Sequence, residues 1–309
     1  MALFFDIDAL PKFERTVLTI GTFDGVHRGH KTILEEVAKH AKEVNGESIL
    51  ITFEPHPRKL LFPDQPLKLI TPLQQKLELI TKAGIQHIVV APFTREFSQL
   101  SAKEYIRDFL VKIFRPHSIV IGYDHHFGHD RTGDIHLLKE CANEYGYKVY
   151  EIPAQLIDEA AVSSTKIRQA LTEGRVTDAN HMLGHNYSIS GTVTEGNKLG
   201  RTIGYPTANI RHSEPEQILP GIGIYAVKVK WQQQVLNGML SIGHNPTVTD
   251  DKSIKIEVNI FDFNENIYGE LLEVQFVEWL RNEEKFVSLD ALKEQLHKDK
   301  IAAQKILHQ

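Results

Sequence analysis

The sequence predicts an α/β domain followed by a β domain. In the first half, five short apolar runs alternate with amphipathic helical stretches, a pattern typical of a parallel sheet covered on both faces by helices. After about Gly184, long alternating runs separated by turns rich in Gly, Asn and Pro predict an antiparallel sheet or a small closed barrel. A chain of 309 residues is long enough for two domains, which we expect to span residues 1–183 and 184–309.

Composition and charge are those of an ordinary globular protein. The formal net charge of −5 argues against a surface that coats nucleic acid. Cys141 is the one cysteine, which indicates a reducing compartment, and we interpret its thiol as a core group. The N-terminal segment lacks a signal-peptide pattern, and no apolar run approaches the roughly 20 residues of a membrane span. We therefore expect a cytoplasmic protein, a monomer or weak oligomer, without nucleic-acid or membrane partners.

Apolar spacing and capping signals predict the elements of the first half. A helix is expected over Gly29–Val44, where the apolar residues fall on one face. A second helix is expected to begin at a capping box on Thr71 and to end at Gly84, and a third to begin at a capping box on Ser101. The expected strands are Thr16–Gly21, Ser48–Phe53, Gln86–Ala91, Ser118–Gly122 and Lys148–Ile152.

The second half is expected to be a series of strands closed by one helix. That helix is expected to begin at Ser288 and to turn Leu289, Leu292 and Leu296 inward. The expected strands are Tyr187–Thr194, Ile222–Trp231, Val235–Ile242, Ile254–Phe261 and Glu270–Leu280.

A glycine-rich turn follows the first expected strand and opens a helix. It reads Gly-Thr-Phe-Asp-Gly-Val-His-Arg-Gly-His, from Gly21 to His30. Glycine lets the backbone approach a ligand, and a helix N-terminus offers free N–H groups to an anion. His27 and His30 lie three residues apart, so both can donate hydrogen bonds to one phosphate group. The turn predicts a phosphate site; the alternative is a plain turn with two surface histidines.

A second phosphate signal lies near the end of the first half, in the stretch Ser163–Arg168. Its hydroxyl groups can cap the helix that follows. Lys166 and Arg168 would then project near the helix N-terminus, where they can neutralise phosphate charge. The alternative is a simple N-cap with solvated basic residues.

These two motifs resemble the nucleotidyltransferase superfamily with its H-x-G-H signature. Two further stretches narrow the resemblance to one family within this superfamily. They are Phe-Glu-Pro-His-Pro at Phe53–Pro57 and Gly-Tyr-Asp-His-His-Phe-Gly at Gly122–Gly128. They are similar to the adenylyltransferase half of the bacterial bifunctional riboflavin kinase/FAD synthetase family. The resemblance implies a Rossmann-like α/β/α domain in which the FMN phosphate attacks the α-phosphate of ATP and pyrophosphate leaves.

The resemblance also implies roles for individual residues. His27, His30 and Arg168 are implied to be catalytic. His125 stands where the family usually has an aromatic residue. Together with His126 and His129 it suggests a metal site as an alternative. The loop lacks the Cys or carboxylate pattern that such a site would need. The implied ATP-binding residues are Gly21, Phe23, Asp24, Gly25, His27, Gly29, His30, Ser164, Thr165 and Arg168, and the implied flavin-binding residues are Phe53, Pro55, Pro57, Asp124 and His125.

The second half carries a glycine-flanked loop, Gly-Arg-Thr-Ile-Gly-Tyr-Pro-Thr-Ala-Asn, at Gly200–Asn209. Such loops can wrap nucleotide phosphates with backbone N–H groups. Thr207 and Asn209 offer the oxygen ligands that suit Mg²⁺. Further on, strand alternation turns Glu257 away from its apolar neighbours. Its carboxylate is either a base for an attacking hydroxyl or an outward charge on a strand.

This half resembles the riboflavin kinase domain of the same family, a six-stranded antiparallel barrel with a terminal helix. The resemblance implies that ATP phosphorylates the 5′-hydroxyl of riboflavin, with Glu257 as catalytic base. It implies that Gly200, Thr207 and Asn209 bind ATP, and that Thr207 and Asn209 hold Mg²⁺. Asn259 stands where many members have His. The matching stretches are Gly200–Asn209, Gly223–Tyr225, Ser241–Gly243, Asn245–Thr247, Glu257–Phe263 and Tyr268–Gly269.

The implied enzyme is bifunctional, with Mg²⁺ as cofactor and ATP, riboflavin, FMN and FAD as substrates or products. One alternative is a related transferase with another acceptor, such as nicotinate mononucleotide or pantetheine phosphate, which would not require the second half. Another is a non-catalytic flavin-binding protein, which would be expected to lack residues such as His30 or Glu257. A nucleic-acid-binding module is disfavoured by the negative charge and by the lack of a basic–aromatic stripe.

Overall fold

The structure is a computed structural model that describes residues 2–153, 162–196, 199–244 and 254–308. The chain forms two compact units, Met1–Ser164 and Thr165–Gln309. The expected boundary at 183/184 between functional domains stays a prediction. The stretch Asn245–Thr247, which contributed to the sequence resemblance, lies outside the described residues.

Six strands among the described residues of the first unit form a parallel sheet, in the order β1-β4-β3-β2-β5-β6. The five expected strands are confirmed. The edge strand β1 was not among them, and it pairs with β4 from Ala2 opposite His87. The strands are β1 Ala2–Phe4, β2 Val17–Ile20, β3 Ser48–Glu54, β4 His87–Pro92, β5 Ser118–Gly122 and β6 Lys148–Ile152.

Both faces of this sheet are covered. Alternate residues of β3 enter different cores, with Ile49 and Ile51 in one cluster and Leu50 in the other. This explains why the central strands read as continuous apolar runs rather than as alternating ones. Cys141 is buried in the first of these cores, as expected.

Of the two capping boxes expected in the first unit, one is confirmed. The Ser101 hydroxyl accepts from Glu104 N at 3.3 Å, and the Glu104 carboxylate accepts from Ser101 N at 2.9 Å, which is a complete capping box. The capping role expected for Thr71 is wrong, because Pro72 is the N-cap and no side chain caps the helix. The helices are α1 Arg28–Glu43, α2 Pro57–Leu61, α3 Leu73–Lys82, α4 Arg95–Ser98, α5 Ala102–Glu104 with a π-helical continuation Tyr105–Phe114, and α6 Ile135–Tyr145.

Two helices precede the barrel of the second unit, α7 Ser164–Thr172 and α8 Val176–Leu183. Asn180 fastens α8 to the barrel. Its amide nitrogen donates to Phe276 O at 2.8 Å, and its amide oxygen accepts from Tyr187 N at 2.7 Å. The side chain therefore satisfies backbone groups of two separate chain segments at once.

Six described strands of the second unit close into a barrel, in the order β10-β11-β8-β7-β12-β9, with antiparallel neighbours. The five expected strands are confirmed, and β8 is the sixth. Sequence patterns did not predict β8, because it follows a turn-rich stretch that includes the short helix α9 Leu199–Thr202. The strands are β7 Ser188–Thr194, β8 Ala208–His212, β9 Gly223–Trp231, β10 Gln234–His244, β11 Ile254–Ile260 and β12 Leu271–Arg281.

The last helix, α10 Leu289–Leu307, packs on the outside of the barrel. Ser288 is its N-cap, as expected, and accepts from Ala291 N at 3.2 Å. The inward position expected for Leu289 is wrong, since that side chain is 54% exposed. The buried positions of the helix are Asp299, Ala303 and Leu307, and Leu296 packs against the same cluster.

Candidate functional sites

The first site lies at the carboxyl ends of β2, β3 and β5. β2 is the point where the strand order reverses, since β3 lies on one side of it and β5 on the other. Ligands of open parallel sheets bind at this position. A cavity of about 970 Å³ opens there. Of the predicted site residues it is lined by Gly21, Phe23, His27, Gly29, His30, Phe53, Pro57, Asp124, His125 and Ser164.

The two motif histidines form a stacked pair. Their ring centroids are 3.6 Å apart with 16° between the planes. His27 is the N-cap of α1, where its Nδ1 accepts from His30 N at 3.3 Å. Because Nδ1 is the acceptor, the ring proton of neutral His27 is on Nε2.

Both histidines are neutral at physiological pH. Burial lowers the pKa of His27 to about 4. Burial, followed by the neighbouring His27 and Lys76, lowers the pKa of His30 well below its ordinary value. Neutral imidazoles beside a cavity can donate N–H hydrogen bonds to an anion at little desolvation cost.

Hydrogen bonds to the Asp24 carboxylate hold the turn that carries these histidines. The Asp24 carboxylate accepts from Ile70 N at 3.1 Å and from Thr71 N at 3.0 Å. Asp24 is 3% exposed and does not line the cavity, nor does Gly25, whose φ of 92° requires glycine. The structure thus gives Asp24 a structural contact, and contact of Asp24 or Gly25 with ATP stays a prediction.

The other end of the cavity is aromatic. Phe53 packs against Phe93 at a centroid distance of 5.6 Å and against Phe97 at 5.5 Å. The His125 ring lies 5.8 Å from Phe127, with 29° between the planes. Pro55 does not line the cavity. Sequence reasoning missed Phe93 and Phe97, although their place just after β4, at the same edge of the sheet, was a usable signal.

The second phosphate motif is divided between the two units. Ser164 lines the first cavity, and its hydroxyl donates to Asp24 O at 3.1 Å. Thr165 and Arg168 follow on α7 in the second compact unit. Their contact with phosphates stays a prediction.

The second site is centred on Glu257 in β11. Its neighbours Ile256 and Val258 are buried while Glu257 is half-buried, which confirms the expected alternation. Glu257 pairs across the sheet with Asn209 of β8. Thr207 Oγ1 donates to Glu257 Oε1 at 3.4 Å, and Lys255 Nζ lies 3.0 Å from the same oxygen. The structure therefore brings together the three predicted residues Thr207, Asn209 and Glu257.

The loop before β8 is held by close backbone approaches. Tyr205 N donates to Gly200 O at 2.8 Å, and a Cβ at Gly200 would overlap the Tyr205 carbonyl. Asn259 Nδ2 donates to Pro206 O at 2.7 Å. Asn259 thus positions the residue next to Thr207, a supporting role that its sequence position alone did not reveal. Contact of Gly200 with ATP stays a prediction.

A second cavity of about 740 Å³ adjoins this cluster, between the end of β11 and α10. Pro206 and Asn259 line it, whereas Thr207, Asn209 and Glu257 do not. Lys293 and Lys300 lie on its helical wall, and Lys300 Nζ is 3.6 Å from Oδ1 of Asp262, which lines the same cavity.

A parallel-sheet unit with paired histidines, followed by a barrel unit with a carboxylate–threonine–asparagine cluster, defines a two-domain transferase that acts on phosphates. The FAD synthetase family matches residues 10–166, and the riboflavin kinase family matches residues 183–307. The chain belongs to the family of bifunctional riboflavin kinase/FMN adenylyltransferase enzymes.

Individual relatives extend over nearly the whole chain. A bifunctional riboflavin kinase/FMN adenylyltransferase from Listeria monocytogenes is 38% identical, covering 92% of this chain and 90% of the relative. One from Escherichia coli is 37% identical over 94% of this chain and 92% of the relative. A crystal structure described as a macrolide-efflux protein from Streptococcus pneumoniae is 32% identical, covers 98% of both chains and has a TM-score of 0.89. Within the described residues, no helix is both long and apolar enough to cross a membrane.

Proposed function

We propose that each compact unit carries one of the two reactions. The first cavity takes ATP and FMN and forms FAD with release of pyrophosphate. The Glu257 cluster takes ATP and riboflavin and forms FMN, which is then the substrate of the first unit. The observation that carries the proposal is that the paired histidines line a cavity of the first unit, whereas Glu257, Thr207 and Asn209 lie together in the barrel of the second. A functional boundary at 183/184 is supported by the riboflavin kinase match, which begins at residue 183.

In the first reaction, an FMN phosphate oxygen forms a bond to the α-phosphorus of ATP while the bond to the β-phosphate oxygen breaks. His27 and His30 donate N–H hydrogen bonds to phosphate oxygens as negative charge shifts onto the leaving pyrophosphate. Their neutral state and their position on the cavity wall support this role. Gly21, Phe23, Gly29 and Ser164 border the ATP.

The flavin of FMN occupies the aromatic end of the same cavity. Phe53 and Pro57 supply flat apolar contacts, and Asp124 and His125 border the ring. His125 replaces the usual aromatic residue by an imidazole whose pKa burial lowers to about 4, so it remains a neutral stacking surface at pH 7.

In the second reaction, Glu257 accepts the proton of the riboflavin 5′-hydroxyl. The hydroxyl oxygen bonds to the γ-phosphorus of ATP, and ADP leaves. The role is supported by the hydrogen bond that the Glu257 carboxylate accepts from the Thr207 hydroxyl. Positioning of the two substrates then accounts for most of the rate.

The residues beside Glu257 fit a magnesium ion. The side-chain oxygens of Thr207 and Asn209 are hard ligands that flank Ala208 at the start of β8, and the Glu257 carboxylate lies on the neighbouring strand. Thr207 and Asn209 would hold the ion. When bound, Mg²⁺ neutralises charge on the ATP phosphates.

The enzyme acts in the cytoplasm as a monomer or weak oligomer, with small-molecule substrates and without nucleic acid. The net charge of −5 and the single, buried cysteine support this.

Incubation of the purified protein with riboflavin, ATP and Mg²⁺ tests the proposal. Chromatographic separation is expected to show riboflavin converted to FMN and FMN to FAD. A parallel incubation with FMN in place of riboflavin is expected to give FAD directly. Absence of FAD in the second incubation would contradict the adenylylation role, and absence of FMN in the first would contradict the kinase role.

A further inference from the structure

A buried lysine lies beneath the phosphate turn of the first unit. Lys76 is 5% exposed and sits on the inward face of α3 with Leu77 and Ile80. Its Nζ donates to Thr22 O at 3.2 Å and to Thr52 Oγ1 at 3.1 Å. Burying an ammonium group is costly, so a lysine in this position requires compensating contacts.

Those contacts link α3 to the turn that carries the histidines. Thr22 lines the first cavity, and Thr52 lies in the neighbouring strand β3. The Thr52 hydroxyl also donates to Thr22 O at 3.3 Å, so one carbonyl oxygen receives two donors. The Asp24 carboxylate accepts hydrogen bonds from Ile70 N and Thr71 N. These bonds and the two donors to Thr22 O hold the turn against α3 and against the segment that precedes it.

The charge of Lys76 has defined neighbours. Burial lowers the pKa of Lys76 from its ordinary value, while Asp24 and Glu54 favour its charged form and Lys59 opposes it. Lys76 and His27 are the groups that electrostatically disfavour protonation of His30. Lys76 does not line the cavity, but its ammonium group acts electrostatically on His30, which does.

We propose that Lys76 is a positioning residue of the adenylylation site: through the Thr22 carbonyl it holds the Gly21–His30 turn. Burial is the main reason that the His30 ring is neutral, and the nearby charge of Lys76 reinforces it. The inference rests on the proposed function of the first cavity. Nothing in the sequence motif marks Lys76, which lies outside the turn.

Lys76→Met tests the proposal, because methionine keeps an unbranched side chain but removes the charge and the donors. We expect kcat for FMN adenylylation to fall by about tenfold or more, the size of a lost charge-assisted hydrogen bond. We also expect the acid limb of the pH profile of kcat/KM to move to higher pH, because His30 loses a neighbouring positive charge. A merely structural role would not move that limb. Lys82→Met, an exposed position on the same helix, is the matched control and is expected to match the wild type.

If Lys76→Met does not fold, Thr52→Val provides the test. It removes one Lys76 partner, together with the hydrogen bond from Thr52 to Thr22 O, and hardly changes the shape of the side chain. It is expected to lower kcat for adenylylation by a few-fold without moving the acid limb, because the charge of Lys76 remains. Wild-type adenylylation in a folded Lys76→Met protein, or in Thr52→Val, would overturn the proposal, as would an unmoved acid limb in Lys76→Met. A wild-type protein that makes no FAD from FMN would instead overturn the proposed function itself.

Discussion

His27 has two roles at one position. Its Nδ1 caps α1, and its ring stacks on His30 at the cavity wall. The cap requires an unprotonated Nδ1, and burial provides it by lowering the pKa of His27 to about 4. The same burial makes the folded first unit sensitive to acid, because the unfolded chain binds a proton at this residue more readily than the folded chain does.

The residue-scale prediction is that His27→Asn reduces the acid sensitivity of the first unit. The folded pKa is about 4 and the ordinary value 6.5, so stability is complete above pH 6.5 and falls as the pH decreases toward 4. The loss for this one residue is about 3 kcal/mol at pH 4. Asparagine keeps an acceptor for the helix cap without titrating.

Hydrogen exchange of the α1 amides, corrected for intrinsic rates, measures this loss. Between pH 7 and pH 4.5 the unfolding free energy of the variant is expected to decrease by about 2 kcal/mol less than that of the wild type. Parallel pH curves for the two proteins would show that His27 is not the titrating group.

Single residues also show what the sequence could and could not predict. His27, His30, Thr207, Asn209 and Glu257 were predictable because their chemistry and motif context agree, and the structure brings them to two cavities or their margins. Lys76 was not, because a lysine in a helix is normally solvated and its burial depends on the strands beneath it. Asp24 was assigned to ATP from the motif, whereas its carboxylate binds the backbone of a segment distant in sequence.

At the scale of elements, α10 is fastened to the barrel by an ion pair. Arg281 of β12 binds the Asp299 carboxylate in a bidentate manner, with Nε–Oδ1 at 2.9 Å and Nη2–Oδ2 at 2.8 Å. Asp299 is 4% exposed, and Gln295 Nε2 donates to it at 2.9 Å. The pair is therefore largely removed from solvent, and loss of one partner leaves the other charge buried.

Asp299→Ala is expected to destabilise the second unit by about 3 kcal/mol. Both tryptophans, Trp231 and Trp279, lie in the barrel, so the urea transition of intrinsic fluorescence reports on this unit. Lys298→Ala is the control, because its pair with Glu294 at 2.9 Å is exposed and contributes less than about 1 kcal/mol. Equal transition midpoints for the two variants would contradict the anchoring role of Asp299.

The elements that sequence reasoning missed share a cause. β1 has three residues and β8 has five, and each is defined by the strand it pairs with rather than by its own pattern. In α10 the expected inward face is the observed one, since Leu296 packs on the same side as Asp299, but the first turn with Leu289 is exposed. The burial of Asp299 on that face depends on its partner Arg281, which apolar spacing alone does not reveal.

At the scale of the whole molecule, the order of elements was the most predictable feature. Alternating strands and helices followed by long alternating strands specify a parallel sheet and then a barrel, and both are present. The position of the first site at the strand-order reversal follows from that topology. The division of the motif Ser163–Arg168 between compact units does not follow from it, because unit membership is set by packing rather than by local sequence.

The central claim is that two independent sites act in succession, and mixing two inactivated proteins tests it most directly. His30→Ala alone is expected to convert riboflavin to FMN without FAD, and Glu257→Ala alone to convert FMN to FAD but to leave riboflavin unchanged. An equal mixture supplied with riboflavin, ATP and Mg²⁺ is expected to form FAD, because FMN released by one protein is used by the other. Loss of both activities in either variant, or a mixture that forms no FAD, would contradict the account.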